Sequence, residues 1–244
     1  MKAQLRFSPG IDAETLVADF RRHRRLHIPS VFPPQDAQRI GEALAGPVPW
    51  SWVFNLGDKT YDLGAAAIAA MLPARRAELD VAIQTGAREG FQYSFDSWRV
   101  SDHLEAGRRA GGPVSPIEAV YDFLNSAPFL DFVSALSGAS NAVYCDAQAT
   151  RYLPGHFLTA HDDDVRGKDR VLAYVLNFTP QWAVDWGGLL VFEGADGHVS
   201  GGYVPTFNAL NIFSVPQRHA VTQVATFAAA ERLSITGWIR SARP

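Results

Sequence analysis

The sequence predicts an α+β fold that is mostly β with flanking helices. Two observations predict it. Over residues 1–140 apolar residues recur at helical spacing in several separate stretches. From 141 to 240, short runs rich in Val, Ile, Leu, Phe and Tyr follow one another, broken by Gly, Pro and Asp, as in a sandwich or barrel of antiparallel strands. No internal repeat, low-complexity tract or linker interrupts 1–244, so a single domain is expected, its helical part supporting the β-rich part.

The elements follow in order. Residues 12–25 place Leu16, Val17 and Phe20 on one helical face, and Arg21-Arg22-His23-Arg24-Arg25 reads as its solvated side. A second helix is expected after Pro33-Pro34, from about 35 to 44, then a strand at Trp50-Ser51-Trp52-Val53-Phe54. Residues 74–88 are helical in composition, and Phe91-Gln92-Tyr93-Ser94-Phe95 alternates like a half-buried strand. Gly107, Gly111, Gly112 and Pro113 mark 101–115 as loop. Helical patterning returns over 117–136, with a break near Ser126-Ala127-Pro128 and Gly138 as the stop. Strands are then expected at about 142–153, 156–161, 170–178, 187–193, 208–215, 219–226 and 232–240.

Hydrophobic residues make up 47% and charged residues 19%, ample for a core. The formal net charge of −3 argues against a nucleic-acid partner. The single cysteine, Cys145, rules out an intrachain disulfide and a cysteine-based zinc site. No secretory h-region follows Met1, and no apolar stretch approaches a membrane span. A reducing, cytoplasmic setting is expected, one that suits ferrous iron.

The chemistry concentrates in the last third. In a strand, residues i and i+2 share a face, so His161 and Asp163 can address one ion while Asp162 turns away. His219 opens a later strand and can supply a third ligand. Two imidazoles and a carboxylate on one face of an ion, with the other positions open, is the donor set of non-haem Fe(II) oxygenases. With 7 histidines and 25 acidic residues in 244, a His-x-Asp/Glu pair arises by chance nearly once. His103-Leu104-Glu105 is such a decoy, read as surface. The last strand adds weight. Arg232, Ser234, Thr236 and Trp238 share one face, and an arginine there can grip a carboxylate through two parallel hydrogen bonds, with a neighbouring hydroxyl as a third.

From Tyr144 to Ile239 the chain resembles the prolyl 4-hydroxylase-like branch of the 2-oxoglutarate/Fe(II) dioxygenases. The resemblance is carried by Tyr152-Leu153-Pro154-Gly155, His161-Asp162-Asp163, Leu176-Asn177, Trp182, Gly187-Gly188-Leu189-Leu190-Val191-Phe192, His219, and Arg232 with Ser234 and Trp238. It implies a double-stranded β-helix, or jelly roll, with His161, Asp163 and His219 as metal ligands and catalytic centre. Arg232, Tyr152 and Ser234 would hold the cosubstrate. Fe(II), 2-oxoglutarate and O2 are the implied cofactors, with ascorbate as a further candidate. The implied reaction couples decarboxylation of 2-oxoglutarate to succinate with hydroxylation of a substrate C–H bond. The helix around Ala119-Val120-Tyr121-Asp122-Phe123-Leu124 resembles a sub-branch of peptidyl-prolyl hydroxylases acting on a ribosomal protein, whose larger members carry a second barrel. Phe157 stands near a position where the family often has tyrosine.

Alternatives stay open at several positions. Tyr152 and Trp238 could line the site or simply fill the core. Trp182 and Trp186 could form a substrate lip or pack beneath a loop. Residues 164–170 read as a flap or a solvated hairpin loop. His156, His198 and His27 have no evident partner. A protein prolyl residue is the favoured substrate, ahead of a free amino acid or other small molecule. A metal-binding cupin or a catalytically dead interaction module are the readings from other classes.

Overall fold

The computed structural model describes residues 4–138 and 142–243, so Asn141, where the β-rich part was expected to begin, lies outside the described residues. In chain order the elements are α1 (Ala13–His23), β1 (Arg25–Pro29), α2 (Pro34–Leu44), β2 (Ser51–Leu56), β3 (Lys59–Gly64), α3 (Ala65–Ala69), α4 (Pro73–Glu89), β4 (Tyr93–Trp98), α5 (Val100–Glu105), α6 (Ser115–Leu124) and α7 (Ala127–Ser137). The β-rich part continues with β5 (Tyr144–Cys145), β6 (Gln148–Tyr152), β7 (Phe157–His161), β8 (Arg170–Asn177), β9 (Leu190–Glu193), β10 (Val199–Tyr203), β11 (Ala209–Ser214), β12 (His219–Val221) and β13 (Arg232–Arg240).

The sheet is antiparallel and runs β1-β11-β8-β13-β6-β4-β7-β12-β9-β10, with β2 and β3 added beside β4. Its two ends approach each other. Arg25 on β1 donates to the Ser200 carbonyl on β10 at 2.7 Å and lies over the Phe192 ring of β9. Phe213 of β11 meets Phe192 edge-on across the interior, 5.1 Å between centroids. The strands are therefore folded over into a nearly closed jelly roll.

Strand alternation gives this sheet two unlike faces. Leu172, Tyr174 and Leu176 of β8 and Leu233, Ile235 and Ile239 of β13 pack outward into one core with the helices. Ala173, Val175 and Trp238 turn inward with Leu190, Phe192 and Phe213. The outer core is aromatic at its centre. Phe32 lies 5.2 Å edge-on to Phe123 of α6 and stacks on Phe178 just past β8. Its backbone is held at both ends by Asn208, which accepts from the Phe32 N–H and donates to the Phe32 carbonyl.

Several local expectations are corrected. The first helix ends at His23, because Arg24 adopts φ 56°, and the chain re-emerges as β1 with Leu26 and Ile28 buried. Residues 101–115 are not a free loop: Val100 and Ser101 are buried on α5, and the Glu118 carboxylate accepts the N–H groups of Ala110 and Gly111. His103 accordingly lies on a helix, half-buried and edge-on to Trp98, rather than on the surface. The expected strand at 142–153 is two strands broken at Asp146-Ala147, and 219–226 pairs only over His219–Val221. Strands β3 and β10 have no counterpart in the sequence reading, since Lys59–Gly64 alternates weakly and Val199–Tyr203 carries two glycines.

Phe32→Ala should destabilise the protein by about 3–5 kcal/mol, as expected for a fully buried aromatic wedged between two layers. Chemical denaturation of the variant beside the parent reads this directly.

Candidate metal centre

The site is built on the pairing of β7 with β12. His161 and His219 are direct cross-strand partners, and their rings stand 4.2 Å apart. Between that pair and the next, Leu158 with Val221, β7 carries one extra residue. Under strict alternation Leu158 and His161 would face opposite sides of the sheet. The bulge brings both into the same cavity, the re-aiming that such irregularities provide.

Asp163 arrives differently from the expectation. Strand β7 ends at His161, so the face-sharing of i and i+2 does not place Asp163. Instead Asp163 adopts φ 65° beyond the strand and turns its carboxylate back between the two imidazoles. Oδ1 lies 3.3 Å from His161 Nε2 and Oδ2 3.5 Å from His219 Nε2. Each imidazole is oriented by its other nitrogen. His161 Nδ1–H donates to the Thr159 carbonyl at 3.0 Å and His219 Nδ1–H to the Gln217 carbonyl at 2.8 Å. Both Nε2 lone pairs are thereby aimed at the carboxylate, and one donor atom from each residue lies within 4.8 Å of the others. Among the described residues this is the one cluster of three such side chains that could hold a metal ion.

Charge follows placement. Burial, reinforced by His161, pushes His219 down to about 4, so it is a neutral ligand at physiological pH. Burial works against ionisation of Asp163, but the flanking His161 and His219 side chains outweigh it and hold the carboxyl below its ordinary value. Two imidazoles and one carboxylate fit Fe(II).

The three side chains share a cavity of about 820 Å³ with Arg232, Tyr152 and Trp238. Arg232 opens β13 and is only 2% exposed, yet among the described residues no carboxylate pairs with it. Its guanidinium lies 4.9 Å over the Tyr152 ring, Nη1 donates to Ser234 Oγ at 3.4 Å, and Nε has no partner. Ser234 is itself fixed by Thr150, hydroxyl to hydroxyl at 2.8 Å. A buried cation without a counterion is costly, so this end of the cavity is built to receive an anion.

Other sequence candidates fall into place. Tyr152 both lines the cavity and stacks on Phe95, 5.0 Å between centroids. Trp182 packs beneath a loop rather than forming a lip, its indole N–H donating to the Gly187 carbonyl. Gly188 adopts φ 62°, and a Cβ there would meet Trp182 at 3.1 Å and Arg232 at 3.2 Å, both of which favour glycine. Phe157 faces away from the cavity, into a cluster with Trp52, Phe54, Leu79 and Ile83. Two histidines thought partnerless are not: His156 Nδ1 accepts the Leu153 N–H, and His27 Nδ1–H donates to Asn211. His198 is exposed.

Arg170 was missed by the sequence reading. It closes the charged run 164–170 but opens β8. There it donates to the Asp163 carbonyl at 3.1 Å, lies 3.6 Å from Oδ1, and stacks 3.5 Å over Trp238. It holds the left-handed turn that presents Asp163. The available signal was its place at the strand's first position.

Comparison with known proteins agrees with this geometry. Residues 147–240 match the model of the 2OG-Fe(II) oxygenase superfamily. Over these residues the chain is similar to that superfamily. Prolyl 3-hydroxylase OGFOD1 of Mus musculus is 31% identical over 117 residues, 45% of this chain and 21% of the relative. The match thus spans about a fifth of the length of that curated relative. Among solved structures, a Pseudomonas putida prolyl-4-hydroxylase superposes with TM-score 0.57 at 19% identity, covering 95% of this chain and all of that one. A prolyl hydroxylase from Trichoplax adhaerens, in complex with a hypoxia inducible factor peptide fragment, gives 0.59 at 14%, covering 94% and 89%. At these identities the two structures speak for the fold alone.

Asp163→Ala or His219→Ala should abolish measurable Mn(II) binding, with Mn(II) as a redox-silent stand-in for iron. Arg170→Ala should weaken it by about 10–100-fold, the usual cost of losing a partner that orients a ligand. Titration calorimetry on the folded variants checks both.

Proposed function

We propose that this chain, as one oxygenase domain, is an Fe(II)- and 2-oxoglutarate-dependent hydroxylase acting on a prolyl residue of a peptide or protein. The observation that carries the reading is the unpaired, buried Arg232 in the same cavity as the His161, Asp163 and His219 donors. A metal-binding barrel of another kind has no use for a buried cation at its closed end.

His161, Asp163 and His219 would hold Fe(II), Asp163 contributing the one negative charge. Arg232 would take the far carboxylate of 2-oxoglutarate through its guanidinium fork, with Ser234 and Thr150 setting the guanidinium's position. Tyr152 and Phe95 wall this end against water. Iron with its cosubstrate and O2 supplies the oxidising chemistry: 2-oxoglutarate leaves as succinate and CO2, and a substrate C–H bond becomes C–OH. The chain's contribution is to fix geometry and exclude solvent.

A peptide substrate is supported by the lining of the cavity. Exposed Phe91, Arg99 and Val165 contribute to it beside the buried site residues. So broad and partly exposed a lining suits a peptide segment more than an enclosed metabolite. The prolyl hydroxylases among the similar proteins support the same choice. A cytoplasmic setting is the companion reading, since the free, buried Cys145 and a ferrous centre both favour reducing conditions. No described helix is long and apolar enough to cross a membrane.

Under anaerobic conditions, Fe(II) and 2-oxoglutarate together should give a weak visible charge-transfer band; metal-loaded protein without it would overturn the assignment. Arg232→Ala should cost 2-oxoglutarate binding about 2–5 kcal/mol, from roughly thirtyfold to a few thousandfold, with metal affinity nearly unchanged. Succinate release in a screen pairing prolyl peptides with free amino acids should favour the peptides; stimulation by free amino acids alone would reassign the substrate class.

A further inference from the structure

Asn177, the last residue of β8, is 1% exposed, and neither its Oδ1 nor its Nδ2 has a hydrogen-bond partner. A buried primary amide with both ends unsatisfied costs stability, and protein interiors rarely tolerate it without a purpose. Its neighbours Leu176 and Phe178 belong to the outer core beneath the helices. Alternation therefore turns Asn177 toward the barrel interior.

The register locates it further. Asn177 is the cross-strand partner of Ser234 on β13, and Ser234 is in turn the partner of Thr150 on β6. A row of three polar residues crosses three strands at one level. Thr150 and Ser234 satisfy each other, and Arg232 donates to Ser234. Asn177 is the member left over. Two residues away along the inner face of β13 stands Arg232, whose Nε is likewise without a partner. Arg232 lines the cavity and Asn177 stands on the strand beside it, each with a buried polar group left unpaired.

We infer that Asn177 is a cosubstrate-specificity residue: its side-chain amide donates to the far carboxylate of the 2-oxo acid, beside the two bonds from Arg232. This deepens the oxygenase reading and rests on it. A guanidinium fork satisfies a carboxylate on one side only, and a buried carboxylate has further lone pairs to fill. An uncharged amide on the neighbouring strand supplies that donor without adding a second cation. Aspartate at this position would repel the ligand, and an aliphatic residue would leave the carboxylate short of a bond.

The test compares two ligands on Mn(II)-loaded protein by calorimetry: 2-oxoglutarate, and 2-oxobutanoate, which lacks the far carboxylate. Asn177→Leu keeps the side-chain shape and removes the amide. It should weaken 2-oxoglutarate by about tenfold or more, the scale of a hydrogen bond to a charged group. 2-Oxobutanoate should bind the variant and the parent alike. The melting temperature of the variant without ligand should hold or rise, because an unsatisfied polar group has been removed; a purely structural amide would lower it. Asn177→Asp provides a second, near-isosteric variant and should lose more 2-oxoglutarate affinity than the leucine variant. Equal loss for both ligands, or no loss for 2-oxoglutarate, overturns the assignment of Asn177 while leaving the oxygenase reading intact. Failure of the parent protein to bind 2-oxoglutarate overturns both.

Discussion

The candidate metal centre depends on one constraint, the register between β7 and β12. Only with His161 opposite His219 do two imidazoles reach the same point from neighbouring strands. A slip of one residue would turn every side chain of the shorter strand to the other face of the sheet. The register is held from both sides, since β12 also pairs with β9, His219 opposite Phe192. On the far side of β7, strand β4 pairs with Phe157 and Leu158. The bulge between Leu158 and His161 then reconciles two demands that plain alternation cannot meet: Phe157 packed outward against the α4 cluster, and both Leu158 and His161 turned inward.

Electrostatics completes what register begins. The cavity carries a fixed negative charge at Asp163 and a fixed positive charge at Arg232, with apolar and aromatic side chains between them. His219 is kept neutral by burial, so it does not oppose a cation. A divalent ion at one end and a dicarboxylate spanning to the other would neutralise both charges. A carboxylate bound there would pair with the guanidinium, so ligand binding and stability are coupled through the same residue.

The division of the chain into a helical and a strand-rich part was legible from periodicity, and so were α1, α2, α4 and the strands at β8, β11 and β13, whose apolar runs are long. The residue types of the site were legible because donor chemistry is a property of side chains: His161, Asp163, His219 and Arg232 stood out by type and order. What the sequence could not show was geometry. The spacing of His161 and Asp163 suggests a shared strand face, whereas a strand end and a left-handed residue bring them together. Arg170 was hidden in a charged run that reads as solvent-facing, although its guanidinium stacks on Trp238. Asn177 stood out only within the Leu176-Asn177 pair of the resemblance, and its buried amide shows only once the register sets it against Ser234. The glycines and Pro113 of 101–115 suggested a free loop because Glu118, the group that pins it, comes several residues later.

The two faces of β8 and β13 divide labour in a way that shapes how this protein can change. Leu172, Tyr174, Leu176, Leu233 and Ile235 carry the outer core, and their substitution acts on stability through cavities and lost packing. Val175, Asn177, Arg232 and Ser234 sit on the same two strands with the opposite orientation, where the polar groups cost stability instead of supplying it. Each backbone position thus serves one purpose only, fixed by its parity. Inner-face residues are free to vary with the ligand as long as the outer face keeps the sheet against its helices. The unsatisfied amide and the unpaired guanidinium are tolerable because the outer face offsets them.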